Sequence, residues 1–100
     1  MSSNRARPSK PPDTSLLERA LVEVNPTMMS SFDFSRIRRG LRLTQRRLAE
    51  ILHVTYTSVQ GWEHDRMPIR PITSMALLFL VKTTLERVED EQSIADAERT

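Results

Sequence analysis

LTQRRLAEILHVTYTSVQGWE, residues 43–63, decides the fold, because two short amphipathic helices and the turn between them can be read from it residue by residue. Thr44 has N-cap chemistry for a helix over Gln45–Leu52, in which Leu48, Ile51 and Leu52 share one face while Arg46 and Glu50 take the other. Ala49 sits on the shoulder of that apolar face, where a small side chain lets a second helix come close. His53 and Val54 are too few to do more than turn the chain, and Thr55 caps the next helix from Tyr56. That helix buries Val59 and Trp62 and turns Thr57, Gln60, Gly61 and His64 the opposite way.

Upstream, Ser30 followed by Asp33, with Met29 and Phe34 placed as a hydrophobic staple, predicts a helix from Ser31 to about Leu41. Its inner face carries Phe34, Ile37 and Leu41, and stepping round at 100 degrees per residue puts Arg38 among them. The same count puts Glu63 beside Val59 and Trp62. An inward arginine needs an anionic partner, so Arg38 and Glu63 are expected to form a structural ion pair. Further upstream, Ser15 and Glu18 have capping-box spacing ahead of the stripe Leu16, Leu17, Ala20, Leu21 and Val24, which predicts a short helix ended by Asn25-Pro26. Met1 to Pro12 holds three prolines and three cations with little to bury, and is expected to be a flexible basic arm.

Downstream, His64 to Pro71 reads as a loop and a long helix begins at Ile72, with Pro71 favourable at its start. Met75 to Val81 (MALLFLV) is apolar on every side, so either a partner subunit or the Leu16–Val24 helix must cover what the domain leaves bare. Met75, Leu78, Phe79, Val81 and Leu85 are the candidate dimer interface. The stripe ends at Val88, and the acidic stretch after Glu89 is expected to fray. The predicted architecture is therefore all-α, a compact bundle of about five helices: a flexible basic arm over 1–13, one helix-turn-helix domain over 14–88 with its core motif at 34–71 and a dimerisation helix at 72–88, and an acidic tail over 89–100.

Charge is divided unevenly along this frame. Residues 1–82 hold thirteen Lys+Arg against seven Asp+Glu, whereas residues 83–100 hold two against six. Between Ser35 and Ala49 stand Arg36, Arg38, Arg39, Arg42, Arg46 and Arg47 with no acid, a patch suited to a polyanion. Cysteine is absent, and His53 and His64 have no ligand-like spacing, so no disulfide framework, metal site or cofactor is expected. No serine or histidine stands beside a plausible catalytic partner, and the one inward carboxylate is committed to Arg38; the chain does not read as an enzyme. The start MSSNRARPSKPP lacks the apolar core of a secretory signal and no apolar run approaches the roughly 20 residues of a membrane span, so a cytoplasmic protein is expected.

The run IRRGLRLTQRRLAEILHVTYTSVQGWEHDRMP resembles the lambda-repressor-like helix-turn-helix family, the Cro or xenobiotic-response-element type. The resemblance rests on LTQ opening the first motif helix, LAE within it, an aliphatic at Val59 and WE closing the second helix, within the stretch Phe34 to Pro71. It implies a domain that binds operator double-stranded DNA as a two-fold homodimer, with Gln45 on phosphate and Tyr56, Thr57, Gln60 and Gly61 in base-facing positions. It also implies pairing of Arg38 with Glu63, in agreement with the angular count. The chain departs from the family where glycine is usual: His53 stands in the turn and Arg42 precedes the LTQ run, while Gly61 falls within the reading helix.

In physical terms Gln60 is the best base reader, since its amide donates and accepts at once and matches adenine bidentately. Thr57 can meet a thymine methyl or a phosphate, and Tyr56 either contacts the sugar-phosphate backbone or packs on the edge of the apolar face. Arg42, Arg46, Arg47, Arg66 and Ser58 are the candidate backbone contacts, which position without reading sequence. A sequence-specific transcriptional regulator, a repressor on an inverted-repeat operator, is the expected function. The alternative is an antitoxin or similar small operon autoregulator that also holds a toxin or another protein partner. The chain is too short for the extra sensor domain of ligand-responsive relatives, so no small-molecule effector is expected.

Overall fold

A computed structural model of the chain describes residues 10–99, with side chains as far as Ile94. Among the described residues every regular element is a helix: α1 Thr14–Glu23, α2 Ser31–Gly40, α3 Gln45–Leu52, α4 Tyr56–Glu63 and α5 Pro71–Arg99. The predicted basic arm lies outside the described residues up to Ser9.

The starts of α1 to α4 are each explained by one side chain. Ser30, Thr44 and Thr55 cap α2, α3 and α4 by accepting from the backbone N–H of Asp33, Arg47 and Ser58 respectively. The α1 cap is Asp13, which accepts from Leu16 N at 3.3 Å, and not the Ser15 box that the sequence spacing suggested. The reason is tertiary: the Asp13 N–H donates to the Gly40 carbonyl at 2.8 Å, so the end of α2 fixes where α1 begins.

The core forms where these helices meet. Leu17 of α1, Phe34 and Ile37 of α2, Leu48 of α3, Val59 of α4, and Leu77 and Val81 of α5 are all fully buried. Phe34 and Trp62 pack with ring centroids 5.7 Å apart at 58°, a tilted arrangement that suits the ring quadrupoles. Ala49 is buried at the α3–α4 contact and Gly40 lies against Leu16 and Leu17, so both close approaches use a small residue.

Two expectations for α5 are corrected. The helix does not end with its apolar stripe at Val88 but runs 29 residues to Arg99. The stripe stops there, whereas the following Glu, Gln and Ala residues are strong helix formers, so local propensity carries the helix on. Val81, assigned to a dimer interface, is completely buried within its own chain, because α1 packs against α5 on that side. Leu78 and Leu85 are half-buried against the core, while Met75 and Phe79 are exposed and are joined by Ile72, which the sequence reading did not single out. No helix among the described residues is long and apolar enough to cross a membrane.

Candidate nucleic-acid interface

The helices α3 and α4 are joined by His53, Val54 and Thr55 alone. The turn closes because His53 adopts a left-handed conformation, φ 59° and ψ 43°, and the Val54 N–H donates back to the Ala49 carbonyl at 3.0 Å. Thr55 then restarts the chain as the α4 cap. Leu48 and Val59 pin the pair from inside. The result is a helix-turn-helix whose second helix has a covered face and a free one.

Its orientation is locked at one carboxylate. Glu63, at the end of α4, accepts from Arg38 Nε at 2.5 Å and from Arg38 Nη2 at 3.1 Å, and Gln45 Nε2 donates to the same group at 3.0 Å. Arg38 also donates through Nη1 to the Leu43 carbonyl at 2.8 Å, on the α2–α3 corner. Helices α2, α3 and α4 therefore meet on a single ion, with 14% of the Arg38 side chain and 5% of the Glu63 side chain exposed. Burial alone raises the Glu63 pKa. The hydrogen bonds from Arg38 and Gln45 and the positive charge of Arg38 outweigh it, so the carboxyl titrates below its ordinary value. The expected pairing is present, and Gln45 joins it. The amide read as a phosphate contact spends one N–H on Glu63 and holds α3 to α4.

The free face of α4 carries Thr57, exposed, with Tyr56 and Gln60 half-buried beside it. Gln60 Nε2 donates to the Tyr56 hydroxyl at 3.0 Å, and the Arg46 guanidinium lies over the Tyr56 ring at 4.3 Å from its centroid. Tyr56 thus bridges the two motif helices through Arg46 and carries Gln60 on its hydroxyl. Ser58 is half-buried, its N–H and hydroxyl both engaged with Thr55.

Gly61 is the misplaced residue of the base-facing set. It is buried, because the chain after α4 folds back so that Arg66 N and Met67 N both donate to the Gly61 carbonyl, and the Met67 side chain covers its Cα. Glycine here makes room for the returning loop, not for a base.

Of the backbone candidates, Arg46, Arg47 and Arg66 are exposed, with Arg47 paired to Glu50 at 2.9 Å in the open. Arg42 is in the left-handed region at φ 62°, and its Nε donates to the Pro11 carbonyl at 2.9 Å, which ties the chain ahead of α1 to the α2–α3 corner. Around it Lys10 and Arg87 line the same cleft, with Leu41 and Leu43 between them. Neither was read from the sequence, since a lone arginine far along α5 gives no sign that it returns to the α2–α3 corner. No family model, curated protein or solved structure matches the chain.

Proposed function

We propose that the protein is a sequence-specific double-stranded DNA-binding transcriptional regulator, a repressor acting as a homodimer on an inverted repeat. The observation that carries this reading is the mounting of α4. The helix is capped by Thr55, locked at its far end by the Arg38–Glu63–Gln45 cluster, and left with a free polar face of Tyr56, Thr57 and Gln60. A rigid helix with hydrogen-bonding side chains on one open face fits the major groove, whose base edges are read by such groups. Arg46, Arg47 and Arg66 flank it as phosphate contacts. Ile72, Met75 and Phe79 give the apolar face on which a second copy would complete the two-fold.

The test is selection of bound duplexes from a random library at fixed physiological salt, followed by sequencing. An enriched inverted repeat with half-sites about one helical turn apart is expected. Salt-sensitive retention without enrichment would reduce the protein to a nonspecific polyanion binder. Absence of any duplex binding would leave the exposed α5 face as the functional surface and move a protein-binding role, such as that of an antitoxin, to first place.

A further inference from the structure

The side-chain amide of Gln60 has one acceptor oxygen and two N–H donors. One donor is taken in the free protein, where Gln60 Nε2 donates to the Tyr56 hydroxyl at 3.0 Å, one helical turn earlier. The hydroxyl is positioned by the ring behind it, one face of which is covered. It is half-buried at the start of α4, and the Arg46 guanidinium from α3 lies 4.3 Å from its centroid. What Gln60 has left to offer is one N–H and one carbonyl oxygen.

That remainder has a chemical complement. Adenine presents an acceptor, N7, beside a donor, the N6 amino group, on its major-groove edge, whereas guanine presents two acceptors, N7 and O6. A glutamine with both N–H groups free can turn its amino end to guanine. With one of them withheld, it is left with the donor and acceptor that adenine requires. Resting on the reading of α4 as the helix that meets DNA, we infer that Tyr56 is a positioning residue that makes Gln60 an adenine reader and excludes guanine. The selectivity arises from occupying a donor within the protein and needs no additional contact to the base.

The inference is tested by running the library selection with the wild-type protein, Tyr56→Phe and Gln60→Ala in parallel, with a thermal melt of each. The wild type should prefer adenine to guanine at one position of each half-site by roughly 5- to 150-fold, the range of a good bidentate pair. Tyr56→Phe keeps the ring and its cover by Arg46 but removes the hydroxyl. It should bring adenine and guanine to within about threefold of each other at that position, leaving the other positions and the melting temperature in place. Gln60→Ala should lose preference at the same position. A Tyr56→Phe profile identical to wild type would reduce Tyr56 to packing, and a wild-type preference for guanine would mean the amide faces the other way; either overturns the inference while DNA reading stands. If the wild-type protein enriches no sequence, the DNA reading itself fails and the inference falls with it.

Discussion

At the scale of the residue, Arg38, Gln45, Tyr56, Gln60 and Glu63 each hold a partner within the chain before any ligand arrives, and mutation should separate their tasks. Gln60→Ala is expected to weaken binding to the preferred site by about 1–3 kcal/mol while leaving random duplex nearly untouched. Arg66→Ala should weaken all sequences alike and lower the slope of log affinity against log salt by about one; titrations at three salt concentrations measure both. Equal losses on specific and random duplex for Gln60→Ala would contradict its role. Glu63 is of a different kind. Replacing it with glutamine leaves the Arg38 guanidinium without a counter-ion in a site where only 14% of it is exposed, so a loss of about 3 kcal/mol is expected in a denaturant melt. Because the folded state holds the Glu63 pKa below its ordinary value near 4.5, its contribution is complete above that value. It disappears as pH falls through the lower folded value. The wild-type protein should therefore lose stability on acidification through that window, and Glu63→Gln should show a shallower acid limb.

At the scale of the element, the chain's two glycines lie in helices and should respond unequally to alanine. A Cβ on Gly40 would stand 2.9 Å from Leu16 Cδ2 and 3.3 Å from Cδ2 of the fully buried Leu17, so α1 must shift and a cost of about 1–3 kcal/mol is expected. A Cβ on Gly61 would stand 3.2 Å from Cγ and Sδ of Met67, so that side chain, 37% exposed, must give by a few tenths of an ångström. Gly61→Ala should therefore cost less than Gly40→Ala, because a helix-propensity gain of about 0.8–1 kcal/mol offsets the displacement of Met67; denaturation midpoints of the two variants measure the difference. The same contrast marks how far the sequence could be read. The caps at Ser30, Thr44 and Thr55 and the angular pairing of Arg38 with Glu63 were legible because they follow from spacing within a turn or two and from helical period, whereas the left-handed conformation of His53 was marked only by the resemblance, which puts glycine there. Gly61 was misjudged because its cover is Met67, and no local pattern shows that the loop doubles back. MALLFLV could not reveal its phase: a segment apolar on every side does not say which side α1 will take, so Val81 and Phe79 looked alike although one is fully buried and the other exposed.

At the scale of the whole molecule, Ile72, Met75 and Phe79 recur at helical spacing on the exposed side of α5, away from the buried Leu77 and Val81. Phe79→Glu should shift a dimer to monomer by sedimentation at about 10 µM, weaken operator binding, and lower the thermal melt only by the mass-action contribution of the lost dimer, since the ring is 66% exposed in the single chain. A monomeric wild-type protein under those conditions, with and without operator, would contradict the two-fold arrangement. The backbone has a consequence at this scale too. Among the described residues the left-handed positions belong to Arg42, His53 and Asp65, and none is a glycine, so at each the chain bears roughly 1–2 kcal/mol of conformational cost. Against the usual margin of a small domain this enlarges the fraction of molecules transiently open, and open molecules are what proteases take. Susceptibility to limited proteolysis is therefore expected to be set in part by these turns, and His53→Gly, made at a position where glycine fits the backbone already present, should lengthen the half-life under a fixed protease concentration.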